Sequence, residues 1–125
     1  MRLKRTTTAL LSLLCAGSAS FGQDAAAPRL RCGWFENPTP ANAWLTDRDG
    51  EWVVGLQGGH QADGDWPEFR PSRWVRTNGS YGYGCACMNV VADAESREVS
   101  LIVSAAARPL AQCRRDRRLR EPRSE

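Results

Sequence analysis

Two groups of side chains in this 125-residue sequence have types and spacing that could do chemistry. The first is the pair Cys85 and Cys87, whose thiols could exchange a disulfide or bind a metal ion with His60 as a further ligand. Redox pairs more often have two intervening residues at a helix N-terminus, and zinc sites usually contain two short-spaced ligand pairs. The spacing therefore favours structural disulfides, with thiol redox or metal chemistry at this pair as an alternative function.

The second group lies in the segment 57–72, which contains the only histidine of the chain. His60 and the acids Asp63, Asp65 and Glu68 could supply the general base and the orienting carboxylate of a small hydrolase. No spacing in the segment fixes a nucleophile or an oxyanion donor. The sequence therefore predicts no catalytic residue, no resident metal and no cofactor, and a His60 hydrolase is a second alternative.

Four of the five cysteines decide how a domain of this size is held together. Cys32, Cys85, Cys87 and Cys113 are an even number, which is typical of a disulfide framework in a small secreted domain. A bond between Cys85 and Cys87 is disfavoured, because residues two apart on a strand have Cα atoms about 6.6 Å apart. We expect Cys32 and Cys113 each to bond to one member of that pair, in either combination.

The first 22 residues have the pattern of a secretory signal peptide. Three basic residues precede a mostly apolar stretch, residues 6–16, and small residues follow at 17–22. The apolar stretch is too short to span a bilayer, so we expect a secreted, periplasmic protein without a transmembrane anchor. Beyond residue 22 the chain keeps 14 acidic side chains and an equal number of arginines, which argues against a nucleic-acid partner.

The mature chain is predicted to contain one β domain, residues 23–113, followed by a disordered Arg-rich tail, residues 114–125. A first hairpin is indicated by the turn residues 47–50 between two apolar stretches. With Asp47 opposite Glu51, one core-facing row would contain Trp44, Trp52, Val54 and Leu56.

A second hairpin is predicted between residues 80–91 and 99–104, with a turn over 93–97. Glycines alternate along its first strand, and we expect a tryptophan to stack on that strip because glycine lets a ring approach closely. The two hairpins predict a mainly β fold, a small antiparallel sheet or barrel with disulfide cross-links and little helix.

The long loop and the glycine-bearing strand together supply the candidate binding residues. These are Trp66, Phe69, Tyr81, Tyr83 and His60. Loops of this length in compact domains are often functional, and aromatic side chains dominate contact surfaces. The function we expect is a non-enzymatic binding or interaction module of the cell envelope, with a protein or a glycan as partner.

Three strings in the chain carry a resemblance to a known family. They are RCGWFENPTPAN at 31–42, LTDRDGEW at 45–52 and TNGSYGYGCAC at 77–87. The chain resembles the small secreted bacterial proteins grouped as domain of unknown function 4087. The resemblance implies secretion in a Gram-negative bacterium and a single compact domain, and it carries over no activity, cofactor or catalytic residue.

Overall fold

The computed structural model describes residue 17 and residues 26–123. The predicted signal peptide therefore lies outside the described residues except for residue 17. Strand is the dominant structure, as the sequence predicts. The elements are β1 (Arg29–Thr39), β2 (Asn42–Asp47), β3 (Gly50–Gly55), a 3-10 turn (Pro71–Arg73), β4 (Val75–Asn78), β5 (Tyr81–Ala92), β6 (Val99–Arg108) and α1 (Leu110–Arg115).

The strands form one antiparallel sheet in the order β3, β2, β1, β5, β4, and β6 also pairs with β5. Strands β1 to β3 are a meander, and a long connection returns the chain to place β5 beside β1, which is a Greek key. Glu98, directly before β6, then forms a parallel bridge with Val53 on β3. Apart from the short β4, the strands thus have the connectivity of a partly open Greek-key barrel, which is similar to that of an OB fold.

A short segment of the long loop fills the rest of the gap between β3 and β6. The Ala62 N–H donates to the Val54 carbonyl at 2.9 Å, and the Asp63 N–H donates to the Ser100 carbonyl at 3.0 Å. The Ile102 N–H in turn donates to the Asp63 carbonyl at 2.7 Å. The loop therefore satisfies backbone groups that an open sheet edge would expose.

The barrel interior holds the main apolar core. It consists of Phe35, Ala43, Leu45, Trp52, Val54, Ala86, Met88, Val90, Val99 and Ile102. The end of the long loop covers this core with three rings, from Trp66, Phe69 and Trp74. Phe69 lies directly on the glycine strip, where a Cβ on Gly84 would come within 2.4 Å of its Cε1 atom. An aromatic ring packs on the strip as expected, but it belongs to Phe69 and not to a tryptophan.

The first hairpin forms with a register that differs by one residue from the prediction. Asp47 pairs with Gly50 and Leu45 pairs with Trp52, so the turn contains only two residues. A shift of one residue moves a side chain to the opposite face of a strand. Trp44 therefore points outward, opposite to the core-facing Trp52, and Leu56 beyond the end of β3 is 42% exposed.

The buried ring of Trp52 is held between two guanidinium groups. Arg31 and Arg97 each lie 3.8 Å from the ring centre. The buried Asp47 completes the cluster by accepting the Trp52 indole N–H at 3.0 Å and pairing with Arg31 at 2.8 Å. Arg97 also donates to the Asp49 carbonyl at 2.7 Å, which joins the turn after β5 to the first hairpin.

Replacing Arg97 with alanine is expected to lower the free energy of unfolding by about 1 to 2 kcal/mol, because a cation–π contact and the bond to Asp49 are lost together. Urea denaturation followed by tryptophan fluorescence measures the change. Arg70→Ala, at an exposed position, is the matched control and should change stability by less than about 0.5 kcal/mol. Equal losses in the two variants would contradict a stabilising role for the stack.

Candidate functional site

All four cysteines of the domain form disulfides. Cys32 on β1 bonds to Cys87 on β5, and Cys85 on β5 bonds to Cys113 in α1. This confirms the prediction that Cys32 and Cys113 each bond to one member of the closely spaced pair. In this oxidised form Cys85 and Cys87 belong to different bonds, so neither offers a thiolate to a metal or to an exchange reaction.

His60 lies at the gap between β3 and β6, where its ring makes structural contacts. Its Nε2 atom lies 2.7 Å from the Val99 carbonyl oxygen, to which it must donate. Its Nδ1 atom lies 3.9 Å from a carboxylate oxygen of Glu98. The backbone of Asp63 is held nearby by its hydrogen bonds to Ser100 and Ile102. Within residues 26–123 there is no cluster of three or more His, Cys, Asp or Glu side chains that could hold a metal.

The four aromatic candidates do not form one surface. Trp66 and Phe69 pack against Phe35 at the open end of the barrel. Tyr83 is on the other side of the sheet, 5% exposed, with its ring edge-to-face to Trp34. Tyr81 is half-buried at the start of β5. The structure therefore separates these residues between the inner and outer faces of the sheet.

The Arg-rich segment packs along the outer face of the barrel. We call residues 116–123 the C-terminal strap. Leu119 packs on the outer cluster of Trp34, Tyr83, Cys85 and Cys113. Farther along the strap, Glu121 accepts a hydrogen bond from the Tyr83 hydroxyl at 3.1 Å. The described part of the predicted tail, residues 114–123, thus includes the end of α1 and contacts the sheet.

Arg114 in α1 secures this contact by charge. Its guanidinium pairs with the Glu121 carboxylate at 2.8 Å. The hydrogen bond from Arg114 holds the pKa of Glu121 below its usual value, and burial, followed by the carboxylate of Glu121, raises the pKa of the Tyr83 hydroxyl. The three groups thus join α1, the strap and β5 at one point.

A groove opens on the outer face beside the end of the strap. It lies where a row of outward side chains crosses three strands, with Trp44 on β2 next to Glu36 on β1 and Glu36 next to Tyr83 on β5. We call it the Glu36 groove. Its lining is Glu36, Pro38, Thr39, Trp44, Thr77, Asn78, Gly82, Tyr83, Pro122 and Arg123.

Glu36 gives the groove its electrostatic character. The Trp44 indole N–H donates to one of its carboxylate oxygens at 2.5 Å. Burial raises the pKa of Glu36 above its usual value, the Trp44 hydrogen bond opposes this, and the charge of Glu51 adds to it. Within residues 26–123 no arginine lies close enough to Glu36 to form an ion pair.

The lining of the groove is both polar and aromatic. It combines a carboxylate, an indole, a phenol ring and small polar side chains. Glu36 and Trp44 are not among the predicted site residues, because the predicted register of the first hairpin is one residue off and places Trp44 in the core. The available signal was the pairing of β1 with β2 around the Pro40 turn, which puts the two residues opposite each other.

Replacing Glu36 with glutamine is expected to make the protein more stable near neutral pH. The folded-state pKa is raised, so ionisation costs stability as pH rises from the usual value of 4.5 through the folded pKa. The amide oxygen of the introduced glutamine can still accept the Trp44 hydrogen bond. Urea denaturation at pH 3.5 and pH 7 should show equal stabilities at the lower pH and a more stable variant at the higher one. A variant that is less stable at pH 7 would contradict this assignment.

A family model described as protein of unknown function (DUF4087) matches residues 26–120. The chain belongs to the DUF4087 family. The matched residues contain all six strands, α1 and most of the strap. The DUF4087 domain in this chain is therefore the barrel together with the segments that pack on its outer face. No curated protein and no solved structure matches the chain. In the described part of this DUF4087 protein no helix is long and apolar enough to cross a membrane.

The DUF4087 protein isolated without reductant is expected to take up no alkyl group. Both disulfides connect sulfurs of described residues, and Cys85 and Cys113 are buried. Intact mass after iodoacetamide treatment in denaturant measures the free thiols and the N-terminal cleavage position together. Reduction before alkylation is the control. It should add four groups to a chain from which the N-terminal segment containing Cys15 has been removed. Two or four groups without reduction would contradict the disulfide assignment.

Proposed function

We propose that this protein is a secreted, non-enzymatic binding module of the bacterial cell envelope, and that the Glu36 groove is its ligand site. The disulfides are compatible with a compartment outside the cytoplasm, where such bonds persist. The signal-peptide pattern of the first 22 residues supports export.

The observation that carries the proposal is the pairing of Trp44 with the half-buried Glu36 in an open groove. Burying a carboxylate without a cation costs free energy, and a polar ligand that binds there would offset this cost. Trp44 is a large aromatic side chain that a stable core would bury inside, yet here it faces outward.

The position of the groove in the barrel is a second line of support. OB folds bind their ligands on the face of strands 2 and 3 and at the loops around it. The Glu36 groove includes Trp44 on β2 and Thr39 at the connection from β1 to β2, so it overlaps that face. This support is analogy at the level of fold and names no ligand.

In-cell photo-crosslinking tests the proposal. A photo-reactive phenylalanine analogue at Thr77, in the groove, is expected to give a discrete crosslinked product in the envelope fraction. The same analogue at Glu68, exposed on the long loop, is the matched control and should give none. Trp44→Ala combined with the probe at Thr77 should abolish the product.

Three results would overturn the proposal. They are the absence of a product at Thr77, with or without one at Glu68; a product at Thr77 that survives Trp44→Ala; and a protein that remains in the cytoplasmic fraction with its first 22 residues attached. The first would place the ligand site outside the groove, and the second would show that the Trp44–Glu36 pair takes no part in binding. The third would remove the envelope from the proposed function.

A further inference from the structure

We propose that the Glu36 groove recognises a peptide segment that presents an arginine or lysine side chain to the Glu36 carboxylate. This inference rests on the proposed function, because it names the class of ligand for the same groove. It follows from three features of the described residues: the unpaired carboxylate, the charge of the lining and the chain segment that forms one wall of the groove.

The carboxylate of Glu36 is suited to a cation. One of its oxygens accepts the Trp44 indole N–H, and the other makes no hydrogen bond among residues 26–123. A guanidinium or ammonium group can form a charge-assisted hydrogen bond with that oxygen. The ring of Trp44 beside it can add a cation–π contact. Both contributions are larger in a partly desolvated groove than at an exposed site.

The charge of the surroundings favours a cation over an anion. Glu51 on β3 is near enough for its charge to act on Glu36. Glu121 on the strap is already neutralised by Arg114. Arg123 is the one basic residue in the lining, and it does not pair with Glu36. An incoming basic side chain would thus meet a carboxylate that no cation of residues 26–123 has neutralised.

A segment of the chain itself forms one wall of the groove. Pro122 and Arg123, at the end of the strap, line one side of the groove and follow Glu121, which is fixed by Tyr83 and Arg114. Pro122 and Arg123 thus bring a peptide backbone and a basic side chain to the edge of the groove, and within residues 26–123 no basic group pairs with the Glu36 carboxylate. The groove therefore has room at that carboxylate for the basic side chain of a second peptide segment.

The test uses the tripeptide acetyl-Gly-Pro-Arg-amide and the full mature protein carrying Arg123→Ala, which removes the attached basic side chain. The readout is the indole N–H signal of Trp44 in proton–nitrogen NMR spectra. We expect a saturable shift of this signal, and at least tenfold weaker binding by the tripeptide in which citrulline replaces arginine. Citrulline has nearly the same shape as arginine and no charge, so the comparison isolates the cation.

Two protein variants complete the test. Glu36→Gln in the Arg123→Ala background should weaken binding of the arginine peptide at least tenfold. Glu68→Gln in the same background removes an exposed carboxylate that is not part of the groove lining and should leave binding unchanged. The result that overturns the inference is either a Trp44 signal that the arginine peptide does not shift, or equal binding of the arginine and citrulline peptides.

One further titration separates this inference from the function on which it rests. Tetra-N-acetylchitotetraose is added to the Arg123→Ala protein and followed by the same Trp44 signal. If the sugar shifts it and the peptide does not, the groove is a ligand site for glycans and only the peptide class is wrong. If neither ligand shifts it and photo-crosslinking at Thr77 gives no product, both the inference and the proposed function are wrong.

Discussion

Replacing Cys85 and Cys113 together with alanine is expected to lower the free energy of unfolding by about 3 to 5 kcal/mol. The bond between them spans a sequence separation of 28 residues. Removing it restores the conformational freedom of that loop to the unfolded chain, which stabilises the unfolded state. Both residues are buried, at 0% and 2% exposure, so packing contacts are lost as well. Guanidinium chloride denaturation, monitored by far-UV circular dichroism, measures the change.

The same double substitution is expected to release the C-terminal strap. Helix α1 has six residues, which is too short to be stable without tertiary contacts. Apart from the backbone that joins it to β6, its covalent attachment to the sheet is the Cys113 bond, and Leu119 and Glu121 follow it in the chain. Hydrogen exchange followed by mass spectrometry should show faster exchange over residues 110–123 under native conditions.

The other disulfide provides the matched control. Cys32→Ala with Cys87→Ala opens a longer loop, with a separation of 55 residues, and should cost a similar free energy of unfolding. It joins β1 to β5, which are already paired, so exchange over residues 110–123 should stay slow. Equal exchange rates in that segment for the two double variants would show that the Cys113 bond does not hold the strap.

Replacing Gly84 with alanine is expected to lower the free energy of unfolding by about 2 to 3 kcal/mol. The added Cβ would lie 2.4 Å from the Phe69 ring and 2.8 Å from the Arg73 carbonyl oxygen. Neither the ring nor the backbone can move without disturbing the stack of Phe69 on Phe35 and Trp74. Urea denaturation measures the loss, and near-UV circular dichroism reports the disturbed rings.

Two further variants decide whether the contact with Phe69 causes the loss. Gly59→Ala is the control, because the nearest atom to its added Cβ lies at 3.8 Å, and it should change stability by less than about 0.5 kcal/mol. Phe69→Ala removes the clashing ring. Adding Gly84→Ala to that variant should cost less than it does in the wild type, which is the signature of two residues in contact. Additive losses would contradict the packing of Phe69 on Gly84.

The parts of the fold that the sequence predicts are those with strong local signals. The turn residues 47–50 and 93–97 mark both hairpins, and the alternating glycines mark a close approach to β5. The separation of Cys85 from Cys87 limits the disulfides to two pairings. Each of these signals acts through backbone geometry over a few residues, so a single sequence carries it.

The candidate site could not be predicted because it depends on register and on long-range contacts. Pairing Asp47 with Glu51 predicts a three-residue turn, but Asp47 pairs with Gly50 and the turn has two residues. This difference moves Trp44 from the core to the outer face. The strap has no hydrophobic period that would indicate packing. Leu119 packs on the outer cluster, and Glu121 is held by polar contacts with Tyr83 and Arg114. Only the folded sheet brings Glu36, Trp44 and Arg123 to one groove.

The two disulfides meet on β5 only two residues apart, and this determines how the molecule carries mechanical load. A force applied between the segment before Cys32 and the segment after Cys113 passes through Cys32–Cys87, along the backbone to Cys85, and out through Cys113. The backbone under tension between these points is about 7 Å of extended chain. Both long covalent loops lie outside that path, so an oxidised molecule pulled by its ends keeps β2, β3, β4 and β6 shielded from tension.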